Sequence, residues 1–351
     1  MGIYLTPDKR KKLQEGMVIP AHPTALTKKL LLDEKRQRAL SRYYLESGVG
    51  GLAIGVHTSQ FEIREAGLQK AIFELGKEEE KAFVQKTSKE VLMVAGVMGN
   101  TKQARAEATM AADLGYDAVL LCLAGLAEKD TKVLVTHCHE IAQIIPVIGF
   151  YLQPSVGGMP LGVDFWREFA SIENVVAIKM APFDRYKTLD VVHGVVASGR
   201  SKEVALYTGN DDNIVPDLLT TYEIPCGGTI VKKEIVGGLL GHWAVWTKKA
   251  VAIFNEIKTK KEPNITALLT KGIQITDANA AFFDAKNKFK GSIAGIHEVL
   301  IRQGFLEANY TLNPNEKLSP GQKEEIDRVY AAYPDLNDDA FVSENIERWL
   351  N

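Results

Sequence analysis

Several things are scarce in this 351-residue chain, and each scarcity excludes something. There are three cysteines, Cys122, Cys138 and Cys226. An odd number without metal-ligand spacing excludes a disulfide framework and reads as reduced thiols of a cytoplasmic protein. Neither sign of charge is in excess: 42 basic side chains stand against 44 acidic ones, a net charge of −2, which leaves no basic footprint for a nucleic acid. The one compact basic run, Lys9-Arg10-Lys11-Lys12, reads as part of a solvated arm. No apolar stretch approaches the ~18 residues that a bilayer demands, and the first fifteen residues lack the apolar centre of a signal peptide. No membrane partner is therefore expected. No G-x-G-x-x-G follows the first apolar run, and no other nicotinamide, flavin or pyridoxal fingerprint is present, so no organic cofactor and no metal are expected.

What is present is an alternation of two periods. Short runs rich in Val, Ile and Leu fall at 16–21, 51–55, 91–98, 118–123, 146–151, 175–180, 204–208 and 228–231. Amphipathic stretches lie between them, for example at 33–47, 78–90, 102–114, 131–144 and 240–257. Gly48 and Gly115 stand where helices should stop, and Asp164 stands where one should be capped. Eight strand–helix units fit an α/β fold of the (β/α)8 TIM-barrel type, with a doubly wound sheet as the rival. Beyond residue 262 the pattern is helical only, at 278–288, 291–302 and 320–330, followed by an acidic tail. The division expected is an N-terminal arm (1–15), a barrel (16–260) and a C-terminal helical extension packed on it (261–351).

In such a barrel, reacting groups gather at the C-terminal ends of strands. The sixth run, Val175-Val176-Ala177-Ile178-Lys179-Met180, alternates so that Ala177 and Lys179 share a face, and the bulky set suits the helix side. A lysine in an apolar strand is costly unless it is paired or neutral. As a neutral amine it attacks carbonyls to form a Schiff base; a buried lysine–carboxylate pair fits the spacing equally well. In the fifth run, Val147, Gly149 and Tyr151 share a face. A phenol beside a buried amine serves as a proton carrier; a core tyrosine with a satisfied hydroxyl is the plain alternative.

These residues resemble the dihydrodipicolinate synthase/N-acetylneuraminate lyase superfamily. Tyr151-Leu152-Gln153-Pro154 is similar to its Tyr-x-x-Pro segment, and the strand ending at Lys179, 28 residues on, is similar to its Schiff-base strand. Gly48-Val49-Gly50-Gly51-Leu52, Gly209-Asn210-Asp211, Gly227-Gly228-Thr229-Ile230 and Thr24 are further matches, over about residues 16–300. The resemblance implies a class I lyase or aldolase acting on a 2-oxo acid such as pyruvate, or on an aldol adduct of it. Lys179 is then the nucleophile and Tyr151 the acid–base group, with backbone near Gly209 and Ile230 lining the imine. It also implies a homo-oligomer, a dimer or tetramer, whose partner is otherwise only the small 2-oxo acid or aldehyde substrate.

The departures bear on the substrate. The loop that should read Gly-Thr-Thr-Gly-Glu reads Gly55-Val56-His57-Thr58-Ser59, which removes the hydroxyl relay at Val56. Backbone N–H groups of Val56 and His57, beside Thr58, still suit a carboxylate, and His57 titrates near neutrality. No aromatic occurs at Leu123-Ala124-Gly125, and Val156 stands where an arginine should clamp a second carboxylate. A true dihydrodipicolinate synthase is therefore not expected. A catalytically silent barrel that binds a small molecule is the alternative, and a metal-assisted hydrolase a third reading. His22, Asp184 and Arg185 lie where substrate contact is conceivable, while Asp212 suits a helix cap. His137-Cys138-His139 does not converge on one ion within a helix, and Trp243 and Trp246 suit packing on the eighth helix.

Overall fold

A computed structural model describes residues 2–259 and 262–351; the boundary expected at 260/261 lies outside the described residues. Its strands are β1 (Val18–Pro20), β2 (Gly51–Ile54), β3 (Leu92–Val97), β4 (Ala118–Cys122), β5 (Val147–Leu152), β6 (Val175–Ala181), β7 (Ala205–Thr208), β8 (Thr221–Cys226) and β9 (Thr229–Leu240). In sheet order they run β1-β9-β7-β6-β5-β4-β3-β2, with β8 paired to β9 off this path. Helices alternate with the parallel strands, and this is the (β/α)8 barrel expected. Every residue of β2 through β7 is buried. Covered on both faces, these strands are apolar throughout rather than alternating.

The last barrel strand is not where the sequence suggested. Residues 228–231 do not end a barrel strand; they open one arm of an antiparallel hairpin, in which β8 pairs with the first half of β9 from Thr221↔Glu234 to Cys226↔Thr229. Gly227 and Gly228, at φ +57° and +78°, make the two-residue turn that both-positive φ values permit. Parallel pairing with β7 begins only at Leu206↔Ile235 and continues through Thr208↔Gly238. The apolar run Ile235–Leu240, interrupted by Gly237 and Gly238, is the strand that the barrel buries.

The described chain divides into two compact units: the segment up to Met17 with Leu92–Leu239, and Val18–Val91 with Leu240–Asn351. In the first, residues Pro7–Glu15 form a helix with Thr6 as N-cap and proline in the first turn. It is no solvated arm. Leu13 is buried, Lys9 pairs with Asp117 at 2.6 Å, and the Tyr207 hydroxyl donates to the Leu13 carbonyl at 2.8 Å. The helix Val163–Ser171 starts from Gly162, so Asp164 is not its cap; it lies in the first turn and pairs with Arg167.

In the second unit, Asp33 caps the helix Glu34–Ser47 and Gly48 closes it in the left-handed region. The C-terminal part contributes helices at Thr247–Thr259, Ile265–Phe282, Ser292–Arg302, Gln322–Ala332 and Asp339–Leu350. Tyr43 packs against Phe305 and Trp349, with ring centroids 4.8 and 5.6 Å away, which ties the last helix to Glu34–Ser47. Trp243 and Trp246 are buried but precede the helix they were expected to sit on, and Trp246 packs edge-on against Phe282 and Tyr330.

Candidate active site

In the first unit, β6 brings Lys179 to its C-terminal end with only 6% of the residue's surface exposed. Register aligns one row across four strands: Cys122 with Phe150, Phe150 with Lys179, and Lys179 with Tyr207. Residues paired across a sheet point to the same side, so this row shares a face. The Nζ atom of Lys179 lies 4.2 Å from the centre of the Phe150 ring. On the β7 side the lysine stem fills the space left by Gly209, where an added Cβ would fall 2.6 Å from Cε and 3.0 Å from Cγ. Burial pulls the amine down to about 8, against the opposing attraction of Asp211 and Cys122. A larger fraction of it is therefore neutral near physiological pH than for an exposed lysine.

Tyr151 is on the other face. It pairs with Met180, not Lys179. Its ring packs 5.1 Å from that of Trp166 on the helix Val163–Ser171, and its hydroxyl accepts from the Leu161 N–H at 3.2 Å. Gly149 shares this face, since a Cβ there would lie 2.5 Å from Cε1 of Phe169 on the same helix. Gly149 and Tyr151 share a face as their alternation predicts, but it is not the face of Lys179, and the phenol expected beside the amine is thus corrected. The cause is a register irregularity between Val147 and Ile148, because a slip of one residue exchanges the two faces of a strand. Phe150 is the residue that sequence reasoning missed. The run Val147–Leu152 is apolar on both faces, so alternation alone carried no sign of which side looks inward.

The loop after β7 is locked around Asp217, which is 1% exposed. Its carboxylate accepts from Thr208 at 2.7 Å, Asn210 at 3.0 Å, Asn213 at 2.8 Å and Arg185 at 2.5 Å. Arg185 and Asp184 therefore have structural work: Asp184 caps the helix Arg185–Ala197 through the amides of Tyr186 and Lys187. Asp212 is not a helix cap; the following helix starts from Asn213, and Asp212 lies 3.8 Å from Arg185. Ile230 lies on the hairpin with 57% of its surface exposed, paired with Pro225. It does not join the row around Lys179.

In the second unit, the loop after β2 holds the remaining expected residues. Val56 is buried in extended backbone, and His57 packs edge-on to Phe61 at 5.7 Å. Thr58 donates to the Ala21 carbonyl at 2.7 Å, and Thr24 donates to the Ser59 carbonyl at 2.7 Å. Their hydroxyls fasten the loops after β1 and β2 to each other. His22 is not a rim residue. It is fully buried, its Nδ1–H donating to the Pro23 carbonyl at 2.7 Å and its Nε2 accepting from Ser41 at 2.9 Å. Burial pulls it down to about 4, so it is neutral. His137 bonds Thr101, and among the described residues no three His, Cys, Asp or Glu side chains converge as a metal site.

The profile of the Dihydrodipicolinate synthetase family matches residues 14–229. The chain belongs to this family. The 4-hydroxy-tetrahydrodipicolinate synthase of Staphylococcus carnosus is 32% identical over 138 residues, which are 38% of this chain and 45% of that protein. The chain thus spans about half the length of the first curated relatives it matches. Among solved structures, N-acetylneuraminate lyase from Fusobacterium nucleatum superposes with a TM-score of 0.69 at 18% identity, covering 91% of this chain and 99% of that one. A prophage protein of the dihydrodipicolinic acid synthase family from E. coli K12, in complex with pyruvate, superposes with a TM-score of 0.72 at 17% identity, covering 91% and 97%. At such identities the structures establish the fold, and the family match ends at the hairpin turn, before the last barrel strand. No described helix is long and apolar enough to cross a membrane.

Proposed function

We propose that this dihydrodipicolinate synthetase family member is a class I lyase or aldolase whose Lys179 condenses with a small 2-oxo acid. In that step the Nζ lone pair attacks the carbonyl carbon and the carbonyl oxygen leaves as water. Overall, ammonium plus ketone gives iminium plus water with no net change in protons. The iminium then draws electrons from the bond made or broken at the adjacent carbon. The observation that carries the reading is the burial of Lys179, which holds its amine near about 8 in a family of aldolases and lyases. The pyruvate in the prophage protein's structure supports a 2-oxo acid of that size. Val156 and the absence of an aromatic at Leu123-Ala124-Gly125 speak against dihydrodipicolinate synthase chemistry. Gly209 belongs to the proposal as the residue beside the imine, and Val56, His57 and Thr58 belong to it on the family resemblance alone, as carboxylate-binding groups. Ile230 is left out because of its exposure, and Tyr151 because its ring faces the helix layer. Assembly as a dimer or tetramer and a cytoplasmic location are part of the same reading, supported by the family and by three cysteines outside any disulfide.

The test is reductive trapping. Incubation with pyruvate and borohydride should add the mass of the reduced adduct at Lys179, and Lys179→Ala should remove it. No adduct with any of a panel of 2-oxo acids would sink the reading. A second reading, a catalytically silent barrel that holds a carboxylate ligand through the Lys179 ammonium, is favoured by one observation: the phenol expected as its proton carrier faces away. It requires calorimetric binding of 2-oxo acids without any trapped adduct.

A further inference from the structure

Lys179 is gripped from both neighbouring strands, by Gly209 beyond β7 against its stem and by Phe150 of β5 under its head. We propose that Phe150 is a positioning residue for Lys179, its ring face holding the ε-nitrogen in place and stabilising that nitrogen whenever it carries positive charge. The inference deepens the Schiff-base reading, and its iminium half rests on that reading; its ammonium half does not.

The physical basis is the negative face of the aromatic quadrupole. A cation within about 6 Å of the ring centre is attracted, more strongly when water is excluded, and the 4.2 Å separation lies well inside that limit. Phe150 is itself 5% exposed, so the contact is dry. The other groups facing the amine are accounted for. Asp211, after β7, and Cys122, on β4, both favour the charged form. Tyr207, the pairing neighbour on β7, has its hydroxyl committed to the Leu13 carbonyl. Burial opposes all of these and wins; without the ring it wins by more. Ammonium and iminium are both cations on the same atom, so one ring face serves both and blocks carbonyl approach from its own side. A tyrosine at 151 cannot provide this from the helix face, whereas position 150 does so through pairing register alone.

The experiment compares the wild type with Phe150→Leu, Phe150→Tyr and a protein carrying pentafluorophenylalanine at 150, which keeps the ring's shape and reverses its quadrupole. Competitive acetylation across pH, read by peptide mass spectrometry, gives the titration midpoint of Lys179 without any carbonyl substrate. Loss of the ring face should move that midpoint down by about one pH unit, tenfold in equilibrium, for the leucine and fluorinated proteins, while Phe150→Tyr leaves it in place. About one pH unit above the wild-type midpoint, where the free amine is mainly neutral in every variant and only the iminium is a cation, the pyruvate concentration for half-maximal borohydride trapping should rise about tenfold in the same two. An unmoved midpoint in the fluorinated protein, or equal shifts in leucine and tyrosine variants, overturns the proposal. If the wild type traps no 2-oxo acid yet the midpoint moves, the Schiff-base reading falls and the role of Phe150 stands.

Discussion

A carbon added at Gly209 would sit 2.6 Å from Cε of Lys179 and 2.9 Å from Cβ of Ala181, so glycine at 209 is what lets the lysine lie against β7. Gly209→Ala should therefore displace the flexible end of Lys179 and also push on Ala181, whose Cβ moves only with its backbone. At least a tenfold drop in borohydride-trapped adduct is expected, for an effect on melting temperature of only a few degrees. Paired trapping and thermal denaturation check this; full trapping would show that the lysine has another berth.

Tyr151→Phe removes a hydroxyl whose observed partner is the Leu161 amide. A stability loss of about 1 kcal/mol is expected, with trapping at Lys179 unchanged. A proton carrier at this position would instead cost roughly 10²–10⁴-fold in rate. Denaturant unfolding and the kinetics of adduct formation distinguish the two, and a hundredfold loss of rate would mean that the ring works on the inner face.

Lys179 sits near about 8 in the fold against 10.5 for the free side chain. Between those values the unfolded chain binds more protons, so stability rises with pH across that window and the burden of the buried charge is complete below it. Lys179→Met removes the burden. The variant should be more stable than wild type at pH 7, by up to ~3 kcal/mol, with the advantage shrinking between pH 8 and 10.5. Urea unfolding at three pH values tests this, and an advantage independent of pH would show that the amine is not desolvated.

Glu316 is held up to about 7 by burial, against the amides of Ile293 and Ala294 that its carboxylate accepts from and with Glu62 and Asp284 adding repulsion. Here the folded chain binds more protons between 4.5 and 7, so stability falls as pH rises through that range. Glu316→Gln should melt higher than wild type at pH 8 and match it below pH 4.5. A difference that does not depend on pH would remove the carboxylate's titration as its cause.

Much of this molecule is legible in its sequence. The spacing of apolar runs named the fold, Gly48 stopped its helix in the left-handed conformation that glycine favours, and Lys179 stood out because an ammonium is costly in an apolar strand. Hidden were the hairpin ahead of the last strand, where Gly227-Gly228 suited a turn as well as a strand edge, and the burial of His22 among Pro23, Ser41 and Gln37. Those partners come from a loop and a helix that only folding gathers around the imidazole.

Composition and periodicity by themselves determined that strands and helices alternate, and that one amine would be buried at the end of β6. Which aromatic meets that amine was decided by tertiary structure alone. A parallel strand covered on both sides is apolar on both sides, so its pattern does not distinguish inside from outside. A single register irregularity at Val147 and Ile148 then set Phe150 over Lys179 and turned Tyr151 toward Trp166.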